Sequence, residues 1–286
     1  ATLKDEPPFS FNEATFSLNE SEKVDTKLNG LITVKRNGVV LFDELDEIKK
    51  QMTGFCTADF HLASTSSHHN VRRGIGTLFY PMPSNGGPLV LKVKFISGSP
   101  NDFREFIMNT VREWEAHAHV RFEFLDNLST EYAHIRIDVG TGLPNDSMDS
   151  YSACGTNALV RPADQATMRL PLSMYRAFQN GHNTEASVSQ TVLHEFGHAL
   201  GLLHEHQNPH REFQWNTAVV YLAFSLRGIS RESVDNEFIR VFSGPTFANS
   251  GQYDPYSIMN YALPRAFIFG SSACPPTRVD SMLNLS

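Results

Sequence analysis

Apolar residues in the second quarter of the chain recur with the periods of strands and helices. The run "LVLKVKFI" predicts a strand, and "VRFEFLD" and "HIRIDVG" alternate as expected for strands with one face on a core. "TMRLPL" is a further short strand. Between the first two strands, 100–119 carry apolar residues at steps of three and four, which predicts a helix. The core face of that helix would carry Phe103, Phe106, Ile107, Val111 and Trp114.

The first part of the chain has a different pattern. Residues 1–30 are polar and aperiodic, which indicates a loose or extended arm. The apolar runs 31–34 and 39–42 flank Asn37-Gly38, a pair that suits a tight hairpin turn. A stretch rich in Ser, Thr, His and Gly follows and predicts a boundary. We therefore expect an N-terminal segment over 1–70 and a larger domain over 71–286.

The charge and hydropathy of the chain argue against two classes of partner, nucleic acid and the membrane interior. The chain has 286 residues, with 24 basic and 31 acidic side chains and a formal charge of −7. No basic cluster exceeds a pair, which argues against nucleic acid as a partner. No apolar stretch is long enough to span a bilayer, and the first residues lack the pattern of a secretory signal. A soluble monomer is expected.

The run "TVLHEFGHALGLLHEHQNP", 191–209, places four histidines and two glutamates in an apolar segment. On a helix, His194 and His198 differ by about 40° and project from one face, so two imidazoles can bind one ion. Glu195 lies about 60° from His198, within reach of a metal-bound water. This spacing predicts a metal site on a buried helix.

A third ligand requires the helix to end. His204 would point about 280° away from His194 on a continuous helix. Gly201 can adopt the left-handed conformation that terminates a helix and turns the chain back, which brings His204 to the other two. Three neutral nitrogens with an open fourth position are typical of a catalytic zinc. H-E-x-x-H alone also occurs by chance on core helices, but the extended motif is much rarer.

These residues, with "YSIMNY" downstream, resemble the metzincin zinc endopeptidases, and most closely the astacin family with its microbial relatives. The resemblance covers about 71–265 and rests on Glu205 directly after the third histidine and on a tyrosine two places after Met259. It implies an α+β fold with two lobes, in which an upper lobe of twisted mixed sheet and two long helices stands over a loop-rich lower lobe. Astacins have two disulfides within the domain, which three cysteines cannot make, so the chain is a divergent relative.

The resemblance also implies roles for individual residues. His194, His198 and His204 would bind one Zn²⁺, with Glu195 as general base and acid. Met259 would form an apolar floor, and Tyr261 would act as a swinging ligand or oxyanion stabiliser. Glu205 would help to anchor the mature N-terminus. The segment "DSYSACG", with its core at 150–155, is by analogy the edge strand on which an extended substrate pairs, and an ordinary loop is the alternative.

The function expected on this basis is zinc-dependent hydrolysis of peptide bonds in protein or peptide substrates by a secreted enzyme. Two other interpretations stay open. One is a zinc-binding interaction module without turnover, which the presence of both Glu195 and Tyr261 argues against. The other treats the N-terminal hairpin segment as an interaction module.

The run "GFCTADF" offers two further candidate ligands just before the catalytic domain. The thiolate of Cys56 or the carboxylate of Asp59 could occupy the open position of zinc and keep the enzyme latent. Cleavage between about 57 and 75, for example near Arg72-Arg73, would then activate it. The alternatives are that Cys56 pairs with Cys154 or Cys274, or that it is an inert buried thiol.

Overall fold

The computed structural model describes 79–140, 150–182, 184–225, 228–241, 252–261 and 263–269, together with three short N-terminal strands. These residues fall into two compact units. The larger unit contains the described parts of 79–211 and 241–261. The smaller unit contains the N-terminal strands, 212–240 and 263–269. No helix within these described ranges is long and apolar enough to cross a bilayer.

A five-stranded mixed sheet forms the centre of the larger unit. Its strands, in chain order, are β4 (Leu89–Phe95), β5 (Val120–Phe124), β6 (Ile135–Asp138), β7 (Tyr151–Ser152) and β8 (Met168–Arg169). The spatial order is β5-β4-β6-β8-β7. All neighbours are parallel except the edge strand β7, which runs antiparallel to β8. The four strands predicted from the hydrophobic pattern are therefore confirmed.

The helix predicted over 100–119 is present with one interruption. Helix α1 (Asn101–Thr110) and helix α2 (Arg112–His117) are separated by Val111 alone. Of the five predicted core residues, Phe106 is partly buried and the other four are buried. The Trp114 indole Nε1 donates to the carbonyl of Leu193 at 2.9 Å, which attaches α2 to the long helix that follows. Sheet and helices thus share one apolar core.

Strand β6 departs from the predicted alternation, because its first three residues are all buried. Arg136 is only 2% exposed. Its guanidinium donates to the carbonyl oxygens of Ala133, Ala158, Arg161, Pro162 and Gln165 at 2.7–3.4 Å. The expectation of a polar face on this strand was wrong, since these carbonyls of the neighbouring loops replace water around the charge.

The outer edge of the sheet is closed at β5 by an ion pair from α2. Glu115 Oε1 accepts from the backbone amide of Phe122 at 2.7 Å, and Arg112 Nη1 donates to the Phe122 carbonyl at 3.3 Å. Arg112 and Glu115 also pair with each other. Both backbone groups that an additional strand would use at Phe122 are therefore already bonded.

The smaller unit contains short elements around an aromatic core. Its elements are β9 (Gln214–Trp215), α5 (Thr217–Ser225), α6 (Arg231–Val234), a π-helix (Asp235–Ile239) and β10 (Ile268–Phe269). β9 and β10 pair antiparallel. The buried rings are Phe213, Trp215, Phe224, Phe238 and Phe267.

The N-terminal strands β1 (Glu22–Asp25), β2 (Thr33–Arg36) and β3 (Val39–Val40) form an antiparallel sheet. The hairpin predicted around Asn37-Gly38 is confirmed by β2 and β3. Within the loose or extended arm expected over 1–30, β1 is an extended strand, because pairing with β2 supplies backbone hydrogen bonds that the polar sequence does not reveal. The boundary predicted at 70/71 lies outside the described residues and stays a prediction.

Candidate metal centre and active site

The predicted histidine helix is α4 (Glu185–Leu200), which follows α3 (Leu172–Gln179) in the chain. The hydroxyl of Thr184 accepts from the amide of Ser187 at 3.1 Å and caps the start of the helix. Gly201 ends it in the left-handed conformation, with φ 104°. The amide of Gly201 donates to the His198 carbonyl at 2.8 Å. The predicted glycine termination is confirmed.

This termination brings the three imidazoles together. His194, His198 and His204 are all buried, and their candidate ligand atoms lie within 4.8 Å of one another. Nε2 of His198 is 3.1 Å from Nε2 of His194 and 3.0 Å from Nε2 of His204. Nitrogens that bind one tetrahedral zinc stand about 3.4 Å apart, given Zn–N bonds near 2.1 Å. The spacing fits one ion.

Backbone carbonyls fix the tautomers of two of these rings. Nδ1 of His194 lies 2.8 Å from the Ile258 carbonyl, and Nδ1 of His198 lies 2.9 Å from the Leu202 carbonyl. A carbonyl only accepts, so each Nδ1 carries the proton and each Nε2 presents a lone pair. Lone pairs about 3 Å apart repel unless a cation lies between them. The donor set therefore suits a metal ion.

Burial favours the neutral form of His194 and His204. Desolvation, reinforced by the neighbouring His198, lowers the pKa of His194 to about 3. The pKa of His204 is also lowered well below its usual value, first by burial and then by the nearby histidines. Neutral imidazole is the form that binds zinc, so His194 and His204 need no deprotonation at neutral pH.

Met259 lies against the middle of α4. A Cβ atom placed at Gly197 would overlap its sulfur and would lie 3.1 Å from the Trp114 ring. The Met259 carbonyl accepts from the Glu205 amide at 2.9 Å. Met259 is therefore in close contact with the helix that carries His194 and His198, and its role as an apolar floor stays a prediction.

Tyr261 lies among the imidazoles. Its ring centroid is 4.5 Å from that of His204, 4.7 Å from that of His206 and 5.9 Å from that of His194. Glu195, on the same helix as the first two ligands, is fully buried. Tyr261 and the three histidines thus lie around one point of the larger unit, and Glu195 is buried on the helix that carries two of them.

The Glu205 carboxylate accepts hydrogen bonds from described residues. Its Oε1 accepts from Asn208 Nδ2 at 2.8 Å and from the Asp254 amide at 3.0 Å. Burial is the main cause that raises the pKa of this carboxyl group. The contact with a mature N-terminus that the resemblance implies lies outside the described residues, so it stays a prediction.

His206 lies two places after His204 and is fully buried. Its ring stacks near that of His204, with centroids 5.1 Å apart. The helical period ends at Gly201, so no periodicity indicated which way this side chain would point.

The predicted edge strand is confirmed at β7, two residues long. The amide of Ala153 continues the pairing by donating to the Thr167 carbonyl at 2.7 Å, and a 3₁₀ helix follows over Gly155–Val160. Within 150–155, Ser150, Ala153 and Cys154 are therefore loop, as the alternative had it, and Gly155 begins the 3₁₀ helix. Cys154 Sγ lies 3.4 Å from the Leu202 carbonyl. Cys56, Asp59 and Cys274 lie outside the described residues.

Comparison with known proteins agrees with this geometry. The matrixin family model matches residues 93–216, and the astacin peptidase family model matches residues 182–275. A structure of myroilysin superposes with a TM-score of 0.54 at 26% identity, covering 73% of this chain and 94% of that one. High choriolytic enzyme 1, a hatching enzyme zinc-protease of the medaka fish Oryzias latipes, gives a TM-score of 0.45 at 19% identity over 76% and 92%. No curated protein matches the chain.

A histidine triad suited to one zinc ion, set in an α+β fold that two metzincin family models match, defines a zinc metalloendopeptidase of the metzincin class. Within that class the chain is astacin-like. The astacin match spans the helix with His194 and His198, the third histidine His204 and the methionine turn. The likeness to myroilysin supports the two-lobed protease fold.

Proposed function

We propose that His194, His198 and His204 hold the catalytic zinc and that Glu195 is the general base and acid of peptide hydrolysis. The observation that carries this proposal is the convergence of three Nε2 atoms, two of them set as acceptors by the carbonyls of Ile258 and Leu202. An open fourth position at such a site distinguishes a catalytic zinc from a structural one.

Each residue has a defined task in this scheme. When bound, zinc lowers the pKa of a coordinated water towards neutrality and polarises a peptide carbonyl. The Glu195 carboxylate accepts a proton from the attacking water and delivers it to the nitrogen of the leaving amine. The Tyr261 hydroxyl donates a hydrogen bond to the oxygen on which negative charge develops. Met259 packs against α4 and takes no part in proton transfer.

Chelation and substitution of Glu195 test the assignment. We expect about one zinc per chain. Casein cleavage should stop with 1,10-phenanthroline and return when zinc is added. The Glu195→Gln variant should keep its zinc but lose casein cleavage. His210→Gln is the matched control, because His210 is exposed and lies outside the triad. A wild-type protein that binds zinc but cleaves neither casein nor gelatin would favour the interaction module instead.

We further propose that the substrate lies extended and pairs with β7, the antiparallel edge of the sheet. Backbone pairing gives affinity that is independent of side chains. A peptide N-methylated at one amide should therefore bind more weakly than the unmethylated peptide only when the methyl group is on an amide that faces β7, which is every second amide. Equal effects at every position would contradict strand pairing.

The enzyme is proposed to be secreted and made as a latent proenzyme, with Cys56 or Asp59 as the blocking ligand and 1–70 as the removable segment. The support is the sequence alone: a thiol and a carboxylate just before the catalytic domain. Limited proteolysis between about 57 and 75 should raise turnover, and Cys56→Ser or Asp59→Asn should raise it without cleavage. Equal turnover before and after cleavage would rule latency out.

A further inference from the structure

His206 forms a cluster with Tyr261 and His204, although the proposed chemistry does not use it. Its ring is nearly parallel to that of Tyr261, with centroids 4.7 Å apart and planes inclined by 24°. It is also nearly parallel to that of His204, at 5.1 Å and 25°. Tyr261 itself is tilted by 44° on His204. His206 is therefore the one ring of the three that stacks on both others.

The backbone holds His206 in this place. The 3₁₀ helix Glu205–Gln207 begins directly after the third ligand, and the Gln207 amide donates to the His204 carbonyl at 3.1 Å. His206 is 0% exposed, so its ring cannot swing aside without opening a cavity. The ring position is fixed relative to the ligand two residues earlier.

We propose that His206 is a positioning residue that stacks on Tyr261 and holds its ring beside the ligand imidazoles, so that the phenol is in place when charge develops. The proposal rests on the proposed role of Tyr261. Stacking of this kind favours one ring position by about 2- to 12-fold. Misplacing a group that meets the transition state lowers turnover by up to about 100-fold. The contribution is therefore measurable in kcat.

Two substitutions test whether the protein requires a flat ring at position 206. His206→Gln removes the ring, whereas His206→Phe keeps a ring of similar size. We expect His206→Gln to lower kcat by about 10-fold with KM little changed, and His206→Phe to restore most of it. In a Tyr261→Phe background, where the hydroxyl is already absent, His206→Gln should cost less than about 3-fold. His210→Gln should leave kcat unchanged.

A measurement that needs no turnover tests the stack directly. In protein labelled with ¹³C-tyrosine, the Tyr261 ring signal, assigned by its loss in Tyr261→Phe, should shift towards its ordinary position in His206→Gln and stay in place in His206→Phe. If His206→Gln does not fold, the reciprocal measurement serves. The ¹³C-histidine signal of His206 should keep its chemical shift in Tyr261→Phe and change its chemical shift in Tyr261→Leu.

Three results would overturn the proposal. One is an equal loss of kcat from His206→Gln with and without the Tyr261 hydroxyl. Another is a loss of zinc stoichiometry in His206→Gln, since His206 would then act on His204. The third is a Tyr261 signal that does not respond to His206. A wild-type protein with no protease activity would refute the proposed function, yet the spectra would still decide whether the rings are stacked.

Discussion

Met259 packs so closely on Gly197 that the helix has no room for a Cβ atom at that position. Gly197→Ala must push the Met259 side chain away. The Trp114 ring lies 3.1 Å from the same Cβ position, so there is little space for the new methyl group on that side either. Overpacking costs about 1–3 kcal/mol, while alanine in a helix recovers about 1 kcal/mol. We expect a net loss of about 1 kcal/mol in unfolding free energy, measured by urea denaturation.

The partner of this contact provides its own control. In a Met259→Ala background the space is vacant, so Gly197→Ala should then raise the unfolding free energy through helix propensity alone. A loss of the same size in both backgrounds would show that the contact with Met259 is not the cause.

Loss of Glu115 should open the sheet edge at β5. Glu115→Ala leaves the Phe122 amide without its carboxylate and should lower the unfolding free energy by about 1–2 kcal/mol. The exposed edge can then pair with another chain, so sedimentation velocity should show association that grows with concentration. Glu113→Ala is the control, because Glu113 lies on the same helix and pairs with His117 at the surface. Identical sedimentation of the two variants would contradict a role in closing the edge.

Arg136 should be among the most sensitive positions outside the metal centre. Arg136→Met leaves several buried carbonyl oxygens without their donor and should cost about 3 kcal/mol or more. Arg136→Lys should fall between the wild type and Arg136→Met, because an ammonium group has no planar fork. Exposed Arg121→Met on β5 is the control and should unfold like the wild type. A thermal unfolding series measures all three, and equal losses at both arginines would contradict the prediction.

His134 should make stability depend on pH. Its Nδ1 accepts from the Lys92 amide at 3.0 Å, and burial, followed by the charges of Lys92 and Arg136, lowers its pKa below 6.5. The folded protein thus binds this proton less well than the unfolded chain. The contribution is complete above about pH 6.5 and is lost as the pH falls from there through the lowered pKa.

The test uses an acceptor that does not titrate. His134→Asn can keep the bond to the Lys92 amide, so its unfolding free energy should fall less than that of the wild type between about pH 7.5 and pH 5. Exposed His182→Asn should follow the wild type. If His134→Asn and the wild type lose stability in parallel, His134 is not the group responsible.

Local rules predicted most of the fold that surrounds the site. The strands β4, β5, β6 and β8 and the helix carrying His194 follow from periodicity, and the turn at Gly201 follows from the conformational freedom of glycine. Arg136 escaped prediction because its stabilising carbonyls come from residues up to 29 positions away. Strand β1 escaped because pairing, not propensity, makes it a strand.

The site was predictable where one helix and one glycine define it. The triad came from motif spacing, and Tyr261 came from the resemblance to astacins. The positions of His206 and of the Ile258 carbonyl depend on how the chain packs after the helix ends, which no period encodes. The contact between Gly197 and Met259 joins segments far apart in the chain, and the sequence shows only that one of its partners is small.

The bond between His194 and the Ile258 carbonyl spans 64 positions of the chain. During synthesis, all three ligand histidines leave the ribosome before the acceptor that sets the tautomer of His194 has been made. A nascent chain, or one truncated before Ile258, carries the complete H-E-x-x-H-x-x-G-x-x-H motif without the geometry that makes it a metal centre. The geometry of this site is therefore completed only after Ile258 has been added to the chain.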